Sequence, residues 1–158
     1  MAFEWQLKEI ELTEKYDLEN YNISQTYSQI SSYYINTNQP EKALEALKKA
    51  DATAYSPTQK ISVQLEYVNY YSKFGDMQAA EKILNECKTA FDQDKRLWSI
   101  KKRLYNIEYV YYLQSKQYPK ALEAAKKQEA EELNLSESIQ NSVHYLTKGK
   151  IYSNMGNM

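Results

Sequence analysis

Catalysis and metal binding need reactive side chains at defined spacing, and this chain offers few. It has one histidine and one cysteine. Neither a His/Cys metal cluster nor an intramolecular disulfide can be built from them. His144 stands near the start of a helical segment and reads as structural or solvated. Cys87 stands where the pattern described below places a small core residue, and a buried thiol is inert. No Gly-rich loop is present to cradle a phosphate. The run "EAEE", Glu129 to Glu132, reads as a solvated helix end rather than a cation site. "KRLWSIKKR", Lys95 to Arg103, mixes cations with an aromatic, the combination that nucleic acids select. The preferred reading is a solvated helix face with Trp98 in the core, and no nucleic-acid partner is expected. Catalytic residues, metal ligands and cofactors are all expected to be absent.

The elements that hold these residues are helical by composition. Three Gly and three Pro among 158 residues are too few for a chain of tight β-turns. Ala, Leu, Glu, Lys and Gln dominate long stretches, and all favour helix. Charged residues make up 26% and the net charge is −1, which gives no polyanion-binding signature. Sixteen tyrosines are the compositional anomaly, and their apolar bodies suit half-buried helix faces. The N-terminus, "MAFEWQLKEIEL", is no signal peptide, and no apolar run approaches the ~20 residues that span a bilayer. A soluble region without membrane contact is expected, in cytoplasm or periplasm.

One phrase recurs. "SYYINTNQPEKALEAL" from Ser32 returns as "NYYSKFGDMQAAEKIL" from Asn69 and as "VYYLQSKQYPKALEAA" from Val110. Aligned on Tyr34, Tyr71 and Tyr112, the copies share Ala43, Ala80 and Ala121, then Leu47, Leu84 and Ala125, then Ala50, Cys87 and Gln128. Steps of four and three keep these positions on one helical face. The alanines let two helix axes approach while Tyr and Leu fill the space beside them. Between Tyr and Ala lies a turn. Gly75 supplies a left-handed stop and Asp76 a cap, while Asn38 and Lys116 take the Gly place in the other copies. Each copy reads helix, turn, helix. "SPTQ", Ser56 to Gln59, is a capping box with Pro at the first helical position.

These residues resemble the tetratricopeptide repeat, a helix–turn–helix unit. Ser31, Tyr34, Ala43, Leu47 and Ala50 match it in the first copy, and Tyr71, Gly75, Ala80 and Leu84 in the second. Tyr112 and Ala121 match in the third, where Tyr109 and Ala125 depart in size. From Ala43 to Ala80 is 37 residues and from Ala80 to Ala121 is 41, against a consensus of about 34. Longer helices or links are expected to hold the difference. Gly149, Tyr152 and Gly156 repeat Ser31, Tyr34 and Asn38, so 142–158 reads as a further A helix. Residues 2–18 read as a B helix. The expected array is therefore 2–18, repeats at 24–57, 61–94 and 102–135, then 142–158. That makes about eight helices in an all-α, right-handed solenoid. Missing polar caps at both ends lead to the expectation that the array continues in a larger protein.

The resemblance implies a peptide- or protein-binding groove along the A helices. Its positions fall on Gln25, Gln29, Ser32 and Asn36, then Ser62, Glu66, Asn69 and Lys73. Arg103, Asn106, Val110 and Gln114 follow, and then Thr147, Lys150 and Asn154. The family's chaperone-tail clamp needs more cations than Arg103 and Lys150 provide. What remains is an amide-rich wall of Asn36, Asn69, Asn106 and Asn154 with those two cations, bordered by tyrosine edges such as Tyr70 and Tyr105. Asn can pair a peptide backbone as donor and acceptor. Two functions are carried forward. The leading one is a non-catalytic peptide- or protein-binding scaffold, resembling the sensor regions of bacterial regulators. The alternative is a structural scaffold that assembles a protein complex and takes no small ligand.

Overall fold

A computed structural model describes residues 2–16 and 22–133. Its described residues form seven α-helices and one 3₁₀ helix, with no strands. They are α1 (Ala2–Tyr16), α2 (Ile23–Asn36), α3 (Pro40–Thr53), α4 (Pro57–Phe74), α5 (Met77–Gln93), a 3₁₀ helix (Lys95–Ile100), α6 (Lys101–Gln114) and α7 (Tyr118–Leu133). The segment 142–158, with Tyr152, Lys150 and Asn154, lies outside the described residues.

The most extensive packing is within the hairpins α2/α3, α4/α5 and α6/α7. Each hairpin then stacks on the next through α2 on α4 and α4 on α6, with α3 and α5 also touching the following A helix. Local chemistry sets the corners. Asn38, Gly75 and Lys116 all have positive φ, at 59°, 98° and 59°. Each stands four residues after the tyrosine of its phrase. The carbonyls of Tyr34 and Tyr112 accept from the Gln39 and Gln117 N–H groups at 2.9 and 2.8 Å, while that of Tyr71 accepts from Gly75 N–H at 2.9 Å. The last carbonyls are thereby satisfied and the chain reverses. Asp76 accepts from Ala79 N–H at the start of α5. Ser56 and Gln59 close the capping box at the start of α4. That box nucleates α4 at Pro57, ahead of a repeat boundary drawn at 61.

Side-chain packing follows the aligned face. Ala43, Ala80 and Ala121 are each 0% exposed where A and B helices cross. Leu47, Leu84 and Ala125 are buried beside them, as are Ala50 and Cys87. Tyr34, Tyr71 and Tyr112 are half-buried against the same layers. In the first hairpin two serines add register. Ser24 donates to the Ala50 carbonyl at 2.8 Å and Ser31 to the Ala43 carbonyl at 3.0 Å. Seven residues forward on α2 thus meet seven residues back on α3, which is an antiparallel crossing. Three apolar clusters follow the stack: α1–α3 with Val63, then α4 to α6, then α7 on Tyr109 and Tyr112.

The longer repeats have a visible cause. α4 has 18 residues against 14 in α2, and α5 has 17 against 14 in α3. The six-residue 3₁₀ helix then lies between α5 and α6. This insertion corrects one expectation. Asp94 follows α5 and caps the 3₁₀ helix, its side chain accepting from Arg96 N–H. The tighter 3₁₀ turn puts Leu97 in the core and turns Trp98 outward, 50% exposed. Trp98 is therefore no core residue.

Candidate protein-binding site

The A helices line one open cavity of about 650 Å³. Ser32 and Asn36 enter it from α2, Glu66 and Asn69 from α4, and Arg103, Asn106 and Val110 from α6. Gln25 and Ser62 line an adjoining cavity of about 190 Å³, and Arg103 borders both. Gln29 is engaged by Gln6 of α1. Lys73 and Gln114 are exposed and border neither cavity.

The centre of the wall is Glu66, 3% exposed. Ser32 donates to its Oε1 at 2.6 Å and Asn69 Nδ2 donates to the same oxygen at 3.0 Å. Arg103 Nη2 donates to Oε2 at 2.8 Å. One carboxylate thus joins α2, α4 and α6. The chain could place Glu66 on a helix face, but only the stacking of three hairpins brings its donors together. Arg103 is consequently engaged from within, by Glu66. Its buried Nε has no partner among the described residues. Asn36 and Asn106 differ: both are exposed and neither makes a side-chain hydrogen bond among the described residues. Those two amides are among the polar groups this wall offers outward.

Tyr70 and Tyr105 do not form its border. Tyr70 packs on Tyr71 and Phe74, with centroids 5.3 and 5.0 Å apart. Tyr105 faces a different cavity, on the outer side, together with Trp98. Cys87 is 1% exposed, and burial pushes its thiol up to about 12, so no thiolate forms at neutral pH. Among the described residues no cluster of His, Cys, Asp or Glu could hold a metal ion, and no helix is long and apolar enough to cross a membrane.

Stacked helical hairpins with a polar inner wall define a helical-repeat scaffold. Residues 2–127 match the family model described as 26S proteasome subunit RPN7, and the chain belongs to that family. The matching model is thus a proteasome-subunit family rather than the tetratricopeptide repeat. It favours the assembly alternative over the sensor region of a bacterial regulator. Comparisons with curated proteins and with solved structures gave no match.

Proposed function

We propose that this chain is a non-catalytic scaffold that holds protein partners in a multiprotein assembly. The observation that carries this reading is the Glu66 network. A buried carboxylate satisfied from three successive hairpins makes the array one stiff body, and a stiff receptor surface loses little entropy on binding. Membership in a family described as a proteasome subunit supports the same reading.

A photo-crosslinking amino acid placed at Asn106 tests it, with the same substitution at exposed Glu41 as control. A discrete protein adduct from position 106 and none from position 41 is the expected result. No adduct, or equal labelling from both positions, would sink the inner wall as a partner surface. The exposed amides of Asn36 and Asn106 favour a second reading, an extended peptide in the wall. Under that reading short peptides would compete the adduct away, and Asn36→Ala would weaken it while Glu66 and its donors stay intact.

A further inference from the structure

The outer side carries a second feature, remote from the inner wall. Two cavities of about 300 and 320 Å³ share Lys88, Glu108 and Lys127. Together they form one trough, floored by α6 and walled by α5 and α7. Its charges fall into two groups. Lys88 pairs with Glu108 at 2.9 Å and Lys127 with Glu123 at 2.8 Å. Lys101 and Lys120, which border different halves of the trough, have no carboxylate partner among the described residues. Lys101 Nζ instead lies 4.6 Å from the centroid of Trp98, and Lys95 Nζ lies 5.7 Å from it. Lys120 Nζ lies 5.5 Å from the Tyr112 centroid.

Trp98 therefore stands exposed on the trough with two lysine ammoniums near its ring, in a cavity that the buried Phe91 and Leu104 also line. A large ring with low side-chain entropy is the usual anchor of a protein interface. Lysines act as compact point charges and suit separated carboxylates. We propose that this trough docks an acidic segment of a partner polypeptide, with an apolar or aromatic side chain against Trp98 and carboxylates at Lys101 and Lys120. A nucleic acid fits less well. Its evenly spaced phosphates would meet Asp92, Glu108 and Glu123, which line the same trough. A peptide can space its charges to avoid them.

The proposal deepens the scaffold reading and rests on it only in taking the ligand to be a polypeptide. Its test uses the whole chain carrying Trp5→Phe, which leaves Trp98 as the single tryptophan. The probe is a random copolymer of glutamate and tyrosine, with a single-stranded oligonucleotide as the competing polyanion. The copolymer should shift Trp98 emission. Lys101→Glu/Lys120→Glu should weaken that titration about tenfold or more, with helicity unchanged. Lys48→Glu, an exposed charge reversal on α3, should leave it unaltered. Three outcomes overturn the proposal: no response to the copolymer, equal weakening by Lys48→Glu, or a response to the oligonucleotide alone. Loss of copolymer binding only in Asn36→Ala/Asn106→Ala would also overturn it, while leaving the scaffold reading to the inner wall.

Discussion

Glu66 and Glu108 are both buried glutamates on A helices, 3% and 4% exposed, yet they are held in opposite ways. Glu66 has donors from α2, α4 and α6. Glu108 is salt-bridged by Lys88 of α5, whose side chain is 40% exposed. Burial alone would lower the Lys88 pKa, but the hydrogen bond and charge of Glu108, with Tyr112, outweigh it and hold the ammonium above its ordinary value. The inner wall is thus redundant and joins three hairpins. In the outer trough Glu108 has a single salt bridge between two neighbouring helices, and the second ion pair there, Lys127 with Glu123, lies within α7. A redundant network survives the loss of one member, whereas a lone buried pair leaves an uncompensated charge.

The largest expected effect is on the outer side. Lys88→Met should destabilise the fold by roughly 2–4 kcal/mol, since Glu108 would lose its cation. Adding Glu108→Gln should recover most of that loss. Urea denaturation of the single and double variants measures both, and a stable Lys88→Met would remove the contrast drawn here. Arg103→Ala should cost less, roughly 1–2 kcal/mol, because Ser32 and Asn69 still donate to Glu66. The combination Ser32→Ala/Arg103→Ala should cost more than the two single changes together, because its members share one acceptor. Simple additivity would mean that the three donors do not act as a network.

α1 offers a third, solvent-exposed case. The Tyr27 hydroxyl donates to Glu14, and with the nearby Lys49 this outweighs desolvation and holds Glu14 below its ordinary value of 4.5. A carboxylate with a lowered folded pKa stabilises above its unfolded value and loses that contribution as pH falls through the folded one. Packing of α1 on α2 should therefore loosen on acidification below about 4.5. Trp5 fluorescence in a Trp98→Phe chain should report this. Glu14→Gln should show the loosened state already at neutral pH, and an unchanged acid profile in that variant would assign the transition to other carboxylates. The smallest effect belongs to Trp98→Ala, whose stability should stay within about 0.5 kcal/mol of the parent. A loss several times larger would mean that the ring is structural and not presented for a partner.

The repeat and its corners were legible because they are written in local chemistry. A small residue nine positions after a tyrosine, a left-handed residue between them, and Ser56 with Gln59 are each decided within a few residues. Even Lys116, a poor left-handed residue by type, was placed by its alignment with Gly75. Trp98 was misread because a strong helical pattern continues through Lys95–Ile100, and nothing in it reveals a tighter turn. The engagement of Arg103 was missed for a different reason. Its partner Glu66 is 37 residues away, on the preceding A helix.

The amino-acid sequence alone therefore determined an all-helical array of antiparallel hairpins, with Ala43, Ala80 and Ala121 at the crossings. Helical period, small-residue spacing and turn chemistry are short-range properties. Tertiary structure decided which polar groups face outward. It turned Arg103 inward to Glu66, left Asn36 and Asn106 exposed, and brought two lysines to the ring of Trp98 at the outer trough. Those outcomes depend on how one hairpin rotates and slides against the next, and that register is fixed only when distant apolar faces pack and buried charges find their partners.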